Sequence, residues 1–160
     1  MKRLTLIRHA MSSQDFPLLG DFERPLNPRG RRDVPVMAQR LAATIAPPVA
    51  LIASPATRAI TTAQGFAEAF GLDDAAIRLE AQIYEATPGT LLHLVNRLDD
   101  ADSHVLLFGH NPGFSELARL MADVPFAELP PCACVILGFE VQHWRDIVPD
   151  SGQLLGYLQP

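Results

Sequence analysis

The sequence LTLIRHA, residues 4–10, is an apolar run that ends in an arginine followed by a histidine. A second apolar run, residues 105–109, is followed directly by another histidine, His110. Both runs have the length and apolar content of strands that are buried in a parallel sheet. In an open α/β sheet, ligands bind outside the carboxyl ends of the parallel strands. The sequence therefore predicts that His9 and His110 converge on one pocket.

Segments with helical periodicity alternate with these apolar runs. Strands are predicted over residues 3–8, 49–53, 104–109 and 133–139, with Trp144 on a further extended piece and an edge strand at 154–158. A polar cap followed by proline marks four predicted helix starts: Asn27-Pro28, Ser54-Pro55, Thr87-Pro88 and Asn111-Pro112. The alternation predicts an α/β fold with one three-layer α/β/α domain, residues 1–160, and a mostly parallel central sheet. Residues 11–24 have no periodicity and are predicted to form a loop beside the pocket.

Composition limits the possible partners. The chain has 160 residues, of which 48% are hydrophobic and 19% charged, and its net charge is -5. This balance argues against nucleic acid or an anionic membrane as a partner, so any anion site has to be local. No apolar segment reaches the roughly 20 residues of a membrane span, and no signal peptide is recognisable, so a cytoplasmic location is expected. Cys132 and Cys134 are predicted to be buried free thiols on one strand face.

Two arginines and two histidines are the candidate site residues. Arg8 precedes His9, and Arg58 lies just inside the helix that follows the strand at 49–53. Phosphoryl transfer needs positioning and fixed positive charge, because negative charge spreads over the equatorial oxygens. A guanidinium supplies that charge in a rigid fork of donors. A neutral imidazole can take a phosphoryl group covalently, so His9 is the predicted nucleophile and His110, at a helix start, the predicted cationic donor.

These roles require opposite protonation states, with His9 neutral and His110 protonated. The two environments are therefore expected to separate the two pKa values. Glu85 is the candidate proton donor by its position in the chain, and a surface glutamate before a helix is an equal alternative. The remaining histidines have no supporting context and are expected at the surface: His93, His104 and His143.

Four segments of the chain resemble the signature of the histidine phosphatase superfamily, whose fold is phosphoglycerate-mutase-like. In chain order they are LIRHA at residues 6–10, RPLNPRG at 24–30, SPATRA at 54–59 followed by Thr62-Ala63, and GHNPG at 109–113. One such motif is a weak signal, whereas four in this order make accident improbable. The short chain, the alanine after Arg8-His9, the pair Ser12-Ser13 and the GHNPG segment are most similar to the SixA branch, the phosphohistidine phosphatases.

The resemblance implies roles for individual residues. His9 would be the phosphorylated nucleophile, with Arg8, Arg58 and His110 completing the phosphate pocket and Ser12 lining it by analogy. It also implies that the enzyme works without a metal or an organic cofactor.

Two positions depart from the common pattern of the superfamily. Ala10 replaces the more frequent glycine and is expected in an ordinary backbone conformation. Glu85 matches the proton-donor region only approximately. A phosphohistidine leaving group is itself protonatable, so the phosphatase prediction does not depend on Glu85.

Three functions remain open from the sequence. The leading one is removal of a phosphoryl group from phosphohistidine in a protein, such as a histidine phosphotransfer domain, because so short a chain leaves little for lid insertions. The alternative is a small-molecule phosphomonoesterase that uses the same site, with Glu85 as general acid. A mutase is disfavoured because it has to exclude water. A noncatalytic phosphate-binding module is the third candidate, and the presence of a nucleophile argues against it.

Overall fold

A six-stranded sheet forms the centre of the computed structural model, which describes residues 1–160. The strands are β1 (Lys2–Arg8), β2 (Ala50–Ala53), β3 (Ile77–Leu79), β4 (His104–Gly109), β5 (Cys134–Phe139) and β6 (Gln153–Leu158). Their spatial order is β3-β2-β4-β1-β5-β6, and β1 to β4 are parallel whereas β5 is antiparallel to β1 and to β6. The predicted mostly parallel α/β sheet is confirmed.

Helices cover both faces of the sheet. They are α1 (Pro28–Thr44), α2 (Thr57–Ala69), α3 (Pro88–Asn96) and α4 (Gly113–Met121). α1 packs against α2, and α3 against α4. Leu6 belongs to the core cluster that includes α3 and α4, and Ile7 to the cluster that includes α1 and α2. Successive β1 side chains thus serve opposite cores, which is the three-layer arrangement that the sequence predicts. No helix has the length and apolar content that crossing a membrane would require.

The register between β1 and β4 sets the position of the site. Arg8 pairs with Gly109, and the His9 backbone N–H donates to the Gly109 carbonyl at 3.0 Å. His9 and His110 therefore leave the sheet side by side. A Cβ atom at residue 109 would lie 2.5 Å from the Phe114 ring and 2.7 Å from Ile83, so only glycine lets the chain pass at this point.

Two of the four predicted helix starts are confirmed in detail. Asn27 and Thr87 accept hydrogen bonds from backbone N–H groups three residues further on, and proline follows each of them.

The other two helices begin later than predicted. α2 begins at Thr57 with Ala56 at the capping position, and the Ser54 hydroxyl accepts from the Ala56 backbone N–H at 3.2 Å and also contacts His110. α4 begins at Gly113, with Pro112 at the capping position.

Two expectations from the sequence are wrong: an extended segment at Trp144 and a surface position for His104. Trp144 begins a short 3₁₀ helix, and its indole N–H donates to the Asp102 carbonyl at 2.8 Å. His104 is buried, not at the surface, because its Nε2 lies 2.8 Å from the Thr5 hydroxyl on the neighbouring strand. His93 is exposed, as predicted, and His143 is partly exposed.

Cys132 and Cys134 are buried free thiols, as predicted. They do not share a strand face, because Cys132 precedes β5 and has a positive φ of 63°. Residues 11–24 form the predicted loop, which contains one short 3₁₀ turn at Asp21–Glu23.

Candidate active site

A cavity of about 1040 Å³ lies at the carboxyl ends of β1 and β4. Only three of its 22 lining residues are hydrophobic, so its chemistry is that of a polar anion site and not of an apolar cofactor pocket. The structure brings all of the sequence-predicted site residues to its wall: Arg8, His9, Ser12, Arg58, Glu85 and His110. The loop over residues 11–24 contributes a further part of the wall.

The His9 ring is buried and fixed in one orientation. Its Nδ1 lies 2.7 Å from the carbonyl oxygen of Ala10, which can only accept a hydrogen bond, so Nδ1 carries the proton. Nε2 then holds the lone pair. Burial is the main cause that lowers the pKa of His9 to about 3, and the neighbouring His110, Arg58 and Arg8 lower it further. The imidazole is therefore neutral at pH 7, as a nucleophile has to be.

His110 faces His9, with 5.2 Å between the two ring centroids. Its Nε2 lies 2.8 Å from the Ser54 hydroxyl, which also accepts from the Ala56 backbone N–H. Burial and the adjacent cations, chiefly Arg58, lower the pKa of His110 to about 4. The expectation that the environments hold His9 neutral and His110 protonated is wrong for the protein alone, because both rings lose solvent and both lie among arginines.

Unpaired buried nitrogen atoms are concentrated at this site. Three buried side-chain nitrogen atoms in the chain have no hydrogen-bond partner, and they are Arg8 Nε, Arg58 Nε and His110 Nδ1. Leaving a buried polar group unpaired costs about 1–3 kcal/mol, so each such group in a native structure calls for an explanation. Their concentration in one cavity, beside the guanidinium groups of Arg8 and Arg58, is the arrangement that binding of an oxyanion explains.

Asp21 ties the loop to the Arg58 side chain. Its carboxylate accepts hydrogen bonds from Arg58 at 2.9 Å, from Arg24 at 2.8 Å and from the Tyr84 hydroxyl at 2.6 Å. The three donors hold the pKa of Asp21 well below its ordinary value, Tyr84 having the largest effect. The same contact raises the pKa of Tyr84 to about 12. Asp21 is therefore a permanent anion, not a proton donor at neutral pH.

Thr62 joins two segments of the site. Its hydroxyl accepts from the Ala10 backbone N–H at 3.0 Å and donates to the Arg58 carbonyl at 2.8 Å. Ala10 does not have a positive φ, as the sequence analysis expects. Ser12 lines the cavity and accepts a hydrogen bond from the Arg24 guanidinium.

Glu85 is an exposed residue of the cavity wall and makes no hydrogen bond through its side chain. Its backbone φ is +55°, one of three positive values at non-glycine residues. Such a conformation is uncommon for glutamate, so the surrounding structure has to impose it.

Sequence reasoning missed several functional contacts. Asp21 and Tyr84 carry no motif, and only their contact in the folded chain relates them to Arg58. Arg24 belongs to the RPLNPRG segment, so that motif was the signal that could have identified it as a site residue.

Comparison with family models gives an independent assignment. Residues 4–101 match the model of the histidine phosphatase superfamily (branch 1). An uncharacterised protein of Mycobacterium tuberculosis is 31% identical over 163 aligned positions, which cover 96% of this chain and 99% of that protein.

Solved structures share the fold over almost the whole chain. The structure assigned as the phosphohistidine phosphatase SixA from Agrobacterium tumefaciens superposes with a TM-score of 0.79 at 25% identity, covering 99% of this chain and 98% of that one. A mycobacterial glucosyl-3-phosphoglycerate phosphatase in complex with VO3 superposes with a TM-score of 0.69 at 16% identity, covering 98% of each chain. The first similarity places the chain with the SixA-like branch, and the second concerns the fold alone. The chain thus belongs to the histidine phosphatase superfamily (branch 1) and is a phosphatase of the histidine-nucleophile type with a phosphoglycerate-mutase-like fold.

Proposed function

We propose that this phosphatase removes the phosphoryl group from phosphohistidine in a protein, through a covalent phosphohistidine at His9. The observation that carries the proposal is the fixed tautomer of His9, in which the contact from Nδ1 to Ala10 leaves the lone pair on Nε2. With a pKa of about 3, the ring is neutral throughout the physiological range. A neutral imidazole with one free lone pair is the form that attacks phosphorus.

The reaction has two displacements at the same phosphorus atom. In the first, the Nε2 lone pair of His9 forms a bond to phosphorus while the bond from phosphorus to the substrate nitrogen breaks. The leaving imidazole takes up a proton. In the second, a water molecule attacks phosphorus, loses a proton and releases inorganic phosphate, and the lone pair returns to Nε2. Splitting one hard step into two easier ones is the benefit of a covalent nucleophile.

Arg8, Arg58 and His110 stabilise the charge of the phosphoryl oxygens in this scheme. The unpartnered nitrogen atom on each of the three supports this role. His110 is neutral in the protein alone, since its pKa is about 4. A phosphoryl group beside the ring is an opposite charge and favours the protonated form, so substrate binding and proton uptake by His110 are coupled.

Glu85 is the proposed proton donor to the leaving group. Its position on the cavity wall and its imposed backbone conformation support this role, because such conformations cluster at functional sites. Phosphohistidine needs this acid less than a phosphate ester does, since an imidazole leaves more readily than an alkoxide.

The architecture leaves room for a protein substrate. The four helices pack on the two faces of the sheet, and the cavity volume of about 1040 Å³ is far larger than a phosphoryl group. A side chain that projects from another protein, such as a histidine phosphotransfer domain, can therefore enter. We further propose that residues 1–160 act as one cytoplasmic domain without a metal or an organic cofactor.

The alternative is a small-molecule phosphomonoesterase that uses the same residues. The polar cavity wall favours it, because so large a polar volume also fits a phosphorylated metabolite. The fold is shared with a protein named as a glucosyl-3-phosphoglycerate phosphatase, and that name describes a small phosphate ester as the substrate. A noncatalytic phosphate-binding module is a weaker alternative, since binding alone has no use for a free His9 lone pair.

Comparison of substrates tests the proposal. We expect kcat/KM for a phosphohistidine-bearing protein to exceed that for a panel of phosphate esters by about 100-fold or more, because the esters lack the better leaving group and the protein contacts. The His9→Ala variant, measured on every substrate, corrects for spontaneous hydrolysis of phosphohistidine. A preference for any ester over the phosphoprotein would reject the substrate assignment. Turnover that falls in the presence of a chelator would reject the metal-free scheme.

A further inference from the structure

The loop beside the cavity carries a concentration of exposed apolar side chains. Residues 16–22, here named the apolar loop, contain four of the ten large hydrophobic residues that the chain exposes: Phe16, Leu18, Leu19 and Phe22. Leu18 is 100% exposed and Phe16 is 53% exposed. Single apolar residues at a surface are ordinary, whereas a contiguous group of them marks a binding surface. The other six are spread over the rest of the chain.

The apolar loop is anchored to the phosphate-binding part of the cavity. Asp21 accepts hydrogen bonds from Arg58, Arg24 and Tyr84. The Phe22 ring packs edge-on against Tyr84 with 5.2 Å between centroids. Asp21 and Phe22 therefore hold the end of the loop nearest Arg58 in place before a partner arrives, which reduces the entropy lost there on binding.

Charge around the loop limits the kind of partner. Asp15 and Glu23 flank the apolar loop and are exposed, and Glu85 is exposed on the cavity wall. Inside the cavity, Arg8, Arg58 and Arg24 supply positive charge for an anionic group, although the wall also carries four carboxylates: Asp15, Asp21, Glu85 and Glu116. A complementary ligand thus carries an anionic group for the cavity and, outside it, apolar side chains with basic neighbours.

We propose that the apolar loop is the docking surface for the phosphorylated protein substrate, at a place where its phosphohistidine is surrounded by apolar and basic side chains. The proposal rests on the function proposed above and adds the surface that selects the substrate. Continuity with the cavity argues for this occupant, because a phosphoryl group bound at Arg58 brings the surface that bears it against the loop that Asp21 anchors there. A free metabolite has no such surface, and a second copy of this chain would carry the same acidic side chains.

Steady-state kinetics with two substrates test the docking surface. The test variant is Phe16→Ser/Leu18→Ser, and the substrates are a phosphohistidine-bearing phosphotransfer domain and free phosphohistidine. The matched control is Val148→Ser/Leu155→Ser, which removes exposed apolar side chains outside the loop. We expect the test variant to raise KM for the phosphoprotein by about ten-fold or more, since 1.4 kcal/mol of lost apolar contact is a factor of ten. The kcat/KM of the test variant for free phosphohistidine should stay within about two-fold of the parent value. The control variant should stay within about two-fold of the parent on both substrates.

Each other outcome contradicts the proposal in a distinct way. Equal losses on both substrates would make the loop a lid of the site, and unchanged kinetics on both would remove any role in docking. A concentration-dependent dimer that the test variant abolishes, with phosphoprotein kinetics unchanged, would assign the loop to self-association. Failure of the parent protein to hydrolyse the phosphoprotein, with esters still hydrolysed, would reject the proposed function itself.

Discussion

The two ends of strands β1 and β4 both bury histidine, yet the two environments differ. At the amino end, His104 is 5% exposed and has its Nε2 against the Thr5 hydroxyl. At the carboxyl end, His9 and His110 are each 8% exposed and lie with their rings 5.2 Å apart. Burial lowers the pKa of all three rings, to about 3 for His9 and about 4 for the other two.

Cations lower the pKa further at both ends: Arg3 acts on His104, whereas Arg58 and Arg8 act on both rings at the carboxyl end. Arg8 and Arg58 line that end, and each has a buried nitrogen atom without a partner. A buried histidine with a lowered pKa is therefore not by itself a catalytic histidine. The unpaired buried nitrogen atoms around the rings separate the catalytic end from the structural end.

The largest contrast is expected between alanine substitutions at the two ends. His9→Ala should lower kcat by about 1,000-fold or more, because it removes the proposed nucleophile. His104→Ala should lower the free energy of unfolding and leave kcat within about three-fold, because His104 touches no residue of the cavity. Turnover and urea unfolding of both variants make the measurement. Comparable losses of kcat in the two variants would contradict the assignment of a catalytic carboxyl end and a structural amino end.

A smaller effect is expected from replacing a planar guanidinium at the carboxyl end by an ammonium group. Arg58→Lys keeps the charge but loses the planar fork, so kcat/KM should fall by about 100-fold. Arg78→Lys is the matched control, since Arg78 is an exposed arginine that forms an ion pair with Asp102 outside the cavity. Retention of full activity in Arg58→Lys would mean that charge alone suffices and that the planar fork of donors is not needed.

The leaving group decides how much Glu85 contributes. Glu85→Gln should cost less than about three-fold on phosphohistidine and about 30-fold on an alkyl phosphate, because only the alkoxide depends on an acid. Initial rates on the two substrates measure the difference. Equal losses would contradict the leaving-group argument, and no loss on either would make Glu85 a surface residue.

Acid should destabilise the fold through its buried histidines. The unfolded-state pKa of about 6.5 is above the folded values, so the unfolded chain binds more protons below that pH. The contribution of the neutral buried histidines to the free energy of unfolding is complete above about pH 6.5 and is lost as the pH falls towards 4. His104→Gln should reduce the loss in free energy of unfolding between pH 7 and 4.5 by about 2 kcal/mol, with kinetics at pH 7 unchanged. A pH dependence identical to that of the parent chain would show that His104 is not buried neutral.

The sequence sufficed for features that depend on local pattern. The apolar runs before His9 and His110 predict two buried strands, and the strand-end rule brings both rings to one edge of the sheet. The capping residues Asn27 and Thr87 are equally local and equally correct.

Features that depend on partners far along the chain were not predictable. His104 is buried because of Thr5, which lies on another strand, and nothing near residue 104 indicates that contact. Ser54 has the sequence of a helix cap, but its hydroxyl contacts His110. The charge of His110 was wrongly predicted because motif reasoning assigned a role without counting the loss of solvent around the ring.

Detection of the covalent intermediate tests the central claim most directly. The protein is mixed rapidly with a phosphohistidine-bearing protein, quenched in alkali to preserve phosphohistidine, digested and analysed by mass spectrometry. The account predicts a transient gain of one phosphoryl group on the peptide that contains His9, which is absent in His9→Ala and present in His104→Ala. Turnover with no phosphorylated peptide at any time, or a phosphoryl group on a different residue of the parent protein, would contradict it.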